Sequence, residues 1–203
     1  MPTAPDTAPG TGDGAAQTPG LRRLNAADPA TAESLLLACC GSRRWARRVA
    51  EHRPYGDTDA LLAAGDEAAY DLTPADLAEA LSAEPRDAAA LRVLAGAGET
   101  ARTALRAALS VHEERFGHGF VLHLDPSHPE EWLDLTLTAL RTRLLMDPET
   151  EREHAAEQLR RLARARLEHL VAGTAVPGPA RHVDTPAARR TASHPDVPGR
   201  VPN

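Results

Sequence analysis

The 203-residue chain has no lysine and no isoleucine; all 23 of its Lys+Arg positions are arginine. With so much alanine, this reads as a GC-rich coding bias, and arginine in place of lysine carries less functional weight than usual. Aromatic residues make up only 3% of the chain, which argues against a stacking platform for RNA bases. A net charge of −6 argues against general affinity for nucleic acid or an anionic membrane. No run of about 18 apolar residues occurs, so no membrane-spanning helix is expected. The first 20 residues, "MPTAPDTAPGTGDGAAQTPG", lack the basic start and apolar middle of a secretory signal. The C-terminal "GRVPN" carries no retention or peroxisomal tripeptide. A cytoplasmic setting is the expectation.

Cysteine is nearly absent as well. The only two, Cys39 and Cys40, are adjacent. A vicinal pair bridges poorly, and a chain with two cysteines has no disulfide framework. With no second cysteine pair, a zinc or iron–sulfur site is not expected. A thiolate nucleophile near the helix start at Ser42 would need a base, and no particular histidine pairs with it. The expected role is that of small apolar residues at a helix end. The nine histidines are scattered, with no His-x-x-x-His spacing, so no metal site is expected.

What remains has a helical period. Residues 1–20 and 173–203 are rich in Pro, Gly, Thr and Ala, with too little apolar surface to offset chain entropy. They are expected to be disordered tails on a single all-α helical bundle over residues 21–172. Asp28 or Thr31 caps a helix carrying Leu35, Leu36 and Leu37. Gly41 ends it, and Ser42 caps a helix with Trp45 and Val49 that stops before Pro54. Asp57 or Thr58 opens a helix through Leu61, Leu62 and Tyr70, and Thr73 with Pro74 opens the next. A long helix is predicted from about Gly98 to Phe116, followed by an extended "FGHGFVLHLDP". "SHPE", Ser127 to Glu130, has capping-box spacing for a helix through Trp132, Leu137 and Leu144. Asp147 and Pro148 start the last helix.

Two arginine clusters are read differently. Arg43, Arg44, Arg47 and Arg48 cover more than one helical face around Trp45, as a solvated surface does. On the last helix, Leu159, Leu162, Ala163, Leu167 and Leu170 form an apolar stripe. At about 100° per residue Arg166 falls inside that stripe, while Arg160, Arg161 and Arg164 point elsewhere. A guanidinium aimed at a core requires a partner carboxylate or a bound anion. A structural salt bridge, a snorkelling side chain and a ligand anchor all satisfy that requirement.

"CCGSRRWA", "RPY" with the following "LLAAGDEAAYDL", "ERFGHGFVL" and "RLARARLEHLV" occur in an order similar to that of one family. Residues 21–171 resemble the 2-oxo-4-hydroxy-4-carboxy-5-ureidoimidazoline (OHCU) decarboxylases of urate breakdown. The resemblance implies an all-α bundle, a homodimer, a small ureidoimidazoline substrate, and no cofactor or metal. It also implies decarboxylation of OHCU to (S)-allantoin, after urate oxidation and hydroxyisourate hydrolysis. The family's catalytic histidine stands in a motif like His-Pro-Arg. Here the matching stretch is "LSAEPRDA", so Glu84 takes the histidine's place before Pro85 and Arg86. A family glutamate matches Glu99 in "GAGETA". The late family arginine matches Arg166, followed by Leu167. The family's extended segment beside the substrate matches Phe120, Val121 and Leu122.

Two functions follow. In the first, the chain is a decarboxylase whose acid/base group is changed: Glu84 with a pKa raised by burial, or His112 or His118 reaching in from the opposite wall. In the second, it has lost catalysis and binds a ureide or a partner of the urate pathway. A third reading, nucleic-acid binding through "RRLARAR" and Arg43–Arg48, conflicts with the net negative charge.

Overall fold

Most helices start at a side chain that accepts one of the first backbone N–H groups, which have no partner within the helix. A computed structural model describes residues 17–85, 93 and 98–173. Among them lie eight α-helices and no strand. Helix α1 (Pro19–Ala26) is capped by Thr18, α2 (Pro29–Leu37) by Asp28, and α3 (Arg43–Glu51) by Ser42. Asp57 caps α4 (Thr58–Tyr70), and Thr73 with Asp76 forms a reciprocal capping box on α5 (Pro74–Ala83). Helix α6 (Glu99–Phe116) ends at Gly117, whose φ of 76° is the left-handed stop that favours glycine. Helix α7 spans Trp132–Arg143, and α8, capped by Asp147, spans Pro148–Ala172.

Helix α8 is the central rod. Its 25 residues give a length of about 38 Å, and both α1 and α4 pack along it, while α3 bridges α2 and α4. Leu21, Leu36, Trp45, Leu61, Leu159 and Leu167 meet in this main core at no more than 1% exposure. Each such leucine contributes about 1.5–3 kcal/mol by leaving water. The buried Trp45 indole donates to the Gly65 carbonyl at 2.9 Å, so its one polar atom is satisfied. Arg43, Arg44 and Arg47 of the same helix are exposed. A second, smaller core holds Leu105 of α6, Leu140 of α7, and Phe120 and Leu124 of the segment between them. That segment, residues 117–128, carries no regular structure and runs between the two cores.

Two sequence expectations need correction. The N-terminal tail was expected to reach residue 20, yet α1 begins at Pro19. Contact adds to the local Thr18 cap and Pro19 at the first helical position. A Cβ on Gly20 would lie 2.4 Å from the Val171 carbonyl, so only glycine allows α1 to seat on α8. The end of α1 is then pinned by Arg53, which donates to the carbonyls of Leu24 at 2.6 Å and Ala27 at 2.8 Å. The rest of the two expected tails, residues 1–16 and 174–203, lies outside the described residues. Ser127 does not cap a helix either. Its N–H donates to Asp125 Oδ1 at 2.8 Å, and a 3-10 turn over Pro129–Glu131 precedes α7. Pro129 disfavours helical backbone at His128, which displaces the helix start to Trp132.

Candidate active site

Arg166 sits within the stripe of α8 formed by Leu159, Ala163, Leu167 and Leu170, with 6% of its surface exposed. Its partner comes from the end of α5. Glu84 follows the last turn of that helix in extended geometry, φ −68° and ψ 137°. Both carboxylate oxygens of Glu84 accept from Arg166, Oε1 from Nη1 at 2.6 Å and Oε2 from Nη2 at 2.7 Å. Arg166 Nη1 also donates to the Cys39 carbonyl at 3.0 Å. That carbonyl is within reach because the Cys39–Ser42 turn presses against α5. A Cβ on Gly41 would stand 2.3 Å from the Ala83 Cβ. The double cysteine therefore contributes a backbone oxygen and packing. Burial pushes both thiols up to about 12, which rules out a thiolate nucleophile near neutral pH.

The Glu84–Arg166 pair lies on the wall of a cavity of about 870 Å³. Pro85, Phe120, Val121 and Leu122 line the same cavity. Helix α8 thus forms one side, the end of α5 a second, and the extended segment a third. Glu99 is not among the lining residues. It sits exposed in the first turn of α6, where the helix dipole favours an anion, and pairs with Arg102 at 4.0 Å. The stretch before Gly98 lies outside the described residues.

The arginines outside the α8 stripe also have a place here. Arg160 and Arg164 share Asp66 of α4 at 2.8 and 2.6 Å, and Arg161 bonds Glu157 at 2.8 Å. Asp66, Arg160, Arg161 and Arg164 line the cavity.

A second buried ionic network supports the extended segment from behind. Arg143 Nε donates to Glu151 Oε2 at 2.7 Å, Arg143 Nη2 donates to Glu151 Oε1, and His112 Nε2 lies 2.9 Å from the same Oε1. Arg143 Nη1 reaches the Val121 carbonyl at 2.6 Å, and its guanidinium stacks 4.4 Å from the Phe120 ring centroid. Burial alone would raise the Glu151 carboxyl, but hydrogen bonds from Arg143 and His112 outweigh it and hold the group at about 2. His112 and His118 therefore face this network and do not line the cavity. The Phe120 ring packs against His112 edge-on at 5.1 Å. His112, His118 and Glu151 could offer three metal-ligand atoms within 4.8 Å of one another. Arg143 already engages both Glu151 oxygens, so a cation there would have to displace a guanidinium.

Several lining residues lie outside the set expected from the sequence, among them Asp66, His123, Asp125 and His169. His123 belongs to the cavity wall, and the only available signal was its place in the extended stretch next to Leu122. The Arg143–Glu151–His112 network escaped too, because it joins three helices with no local spacing.

Comparison with known proteins agrees with this architecture. The sequence profile described as OHCU decarboxylase matches residues 25–168. No curated protein matches the chain. Among solved structures, an OHCU decarboxylase crystallised in the presence of (S)-allantoin is similar at a TM-score of 0.58 and 21% identity, over 67% of this chain and 96% of that one. An (S)-allantoin synthase is similar at a TM-score of 0.57 and 18% identity, over 74% of this chain. The match spans 53% of that synthase, about half its length. At these identities the structural likeness speaks for the fold, and the profile match, which covers most of the chain, speaks for descent: the chain belongs to the OHCU decarboxylase family.

Proposed function

We propose that this protein decarboxylates OHCU to (S)-allantoin in urate breakdown, without a cofactor. The observation that carries the reading is the convergence of Glu84, Pro85, Arg166 and the Phe120–Leu122 segment on one cavity. The chemistry asks for little more. Loss of carbon dioxide leaves an electron pair that the imidazolone ring delocalises into its carbonyl and nitrogens. The protein must hold the substrate, accept the hydroxyl proton, and protonate one ring face. Glu84 is the proton-accepting group in this reading. Arg166 donates a hydrogen bond to each of its oxygens, and in this reading the carboxylate serves as the base. Arg166 fixes that carboxylate and directs it into the cavity. Pro85 and the backbone of the extended segment bound the ring. A homodimer and a cytoplasmic setting belong to the same reading, and sedimentation at two concentrations tests the first.

A specific observation favours a second reading. Glu84 already fills the bidentate edge of Arg166, where a substrate carboxylate would bind, and Glu99 stands outside the cavity. A family member that binds a ureide without turnover has no need of either. One assay separates the two. Urate is converted by urate oxidase and hydroxyisourate hydrolase, and (S)-allantoin is followed by circular dichroism. Acceleration on adding this protein supports the decarboxylase; binding of (S)-allantoin with no acceleration supports the second reading.

A further inference from the structure

Resting on the decarboxylase reading, we propose that His123 is the catalytic acid that protonates the ring carbon, a role complementary to that of Glu84. The extended segment alternates in the manner of a strand. Phe120, Leu122 and Leu124 turn to the second core, whereas Val121 packs into the main core beside α8. All four line the cavity, and His123 lines it with them. Its backbone N–H donates to Gln158 Oε1 of α8 at 2.9 Å, which fixes it against that helix. Gln158 and Arg166 are eight residues apart on α8, a span of about 12 Å along the axis. His123 and Glu84 line the same cavity, and in this proposal the substrate ring lies between them.

Charge isolates the same residue. Around the cavity, Arg160 pairs with Asp66, Arg164 with Asp66 and Glu168, Arg161 with Glu157, and Glu84 with Arg166. The histidines that line the cavity are His123 and His169. His169 is exposed, and its Nδ1 lies 2.6 Å from the Ala165 carbonyl of its own helix. His123 is half-buried, two residues before Asp125. Hydrogen bonds from Ser127, aided by His128 and His123, hold the Asp125 carboxyl below the usual carboxylate range. It is an anion suited to stabilise a His123 imidazolium.

The proton balance closes. As the C4–carboxylate bond breaks, its electron pair enters the C4–C5 bond, and the C5–N1 π pair moves to N1. Glu84 takes the C4 hydroxyl proton and passes it to N1, leaving a carbonyl at C4. The C4–C5 pair takes a proton from the His123 imidazolium, which forms the C5–H bond. Carbon dioxide leaves, and one proton from solvent restores His123.

The test compares kcat and KM of wild type, His123→Asn and His123→Gln across pH in the coupled assay, with folding checked by circular dichroism. Loss of the acid is expected to lower kcat by about 100-fold or more, with KM changed by less than about threefold. Wild-type kcat should fall as pH rises through the imidazole pKa, and the variants should lose that limb. In parallel, side-chain NMR of the wild type should show the His123 imidazole pKa shifting when (S)-allantoin binds, which needs no variant to fold. An active wild type whose kcat and pH profile survive both substitutions overturns this inference alone, as does a His123 resonance that ignores bound (S)-allantoin. A wild type with no turnover overturns the decarboxylase reading and His123's catalytic role with it.

Discussion

Glu84 and Arg166, from the end of α5 and the middle of α8, meet as a two-point ion pair at 2.6 and 2.7 Å, with each side chain only 7% exposed. Two residues proposed for the site are thus one unit. Arg166→Ala leaves Glu84 buried without its guanidinium and is expected to cost about 3–5 kcal/mol of stability. It should also abolish (S)-allantoin binding. Urea denaturation and calorimetry read the two effects.

Stability and function separate in a double substitution. Glu84→Leu with Arg166→Met replaces the pair by apolar groups and should recover most of the stability lost in Arg166→Ala. Binding should stay absent. A double variant that binds (S)-allantoin like wild type would remove the pair from the site.

At position 84 the direction depends on the substituent. Glu84→Gln keeps the shape but cannot take a proton, and turnover is expected to stop. Glu84→His places an imidazole at this position and should raise turnover above wild type. Initial rates of (S)-allantoin formation check both.

The Glu151 network sets an acid limit on the fold. Its carboxyl is held near 2 in the folded protein against an ordinary value of 4.5. The resulting stability, on the order of 3 kcal/mol, is fully present above about pH 4.5 and lost as pH falls toward 2. Urea midpoints measured over that window should drop in the wild type. Glu151→Gln should be less stable at neutral pH and flatter across the window, because it has no carboxyl left to titrate.

Burial predicts silent thiols. With Cys39 and Cys40 pushed up to about 12, neither should react with Ellman's reagent at pH 8 in the folded protein. Both should react after unfolding in guanidinium.

The helix starts were legible because capping is local. Asp28, Ser42, Asp57, Thr73 and Asp147 act within three residues of the groups they cap. Ser127 misled because Pro129 governs the backbone there, which residue spacing alone does not weigh. The inward aim of Arg166 was legible from helical periodicity, but its partner was not: Glu84 lies 82 residues earlier, and only the fold joins them. Helix α1 has a local start in Thr18 and Pro19, but its seat on α8 depends on the Gly20 contact, which spacing does not show. His123 was passed over for a similar reason. The extended segment runs along the cavity wall from Phe120 to Pro126, a placement that only the fold supplies.

The most direct test of the account is the rate and handedness of allantoin formation in the coupled assay, with wild type beside Glu84→Gln. Wild type should accelerate formation of the (S)-enantiomer over spontaneous decay, and Glu84→Gln should return to the spontaneous rate with a racemic product. A wild-type protein that leaves both rate and handedness at their spontaneous values would contradict the account.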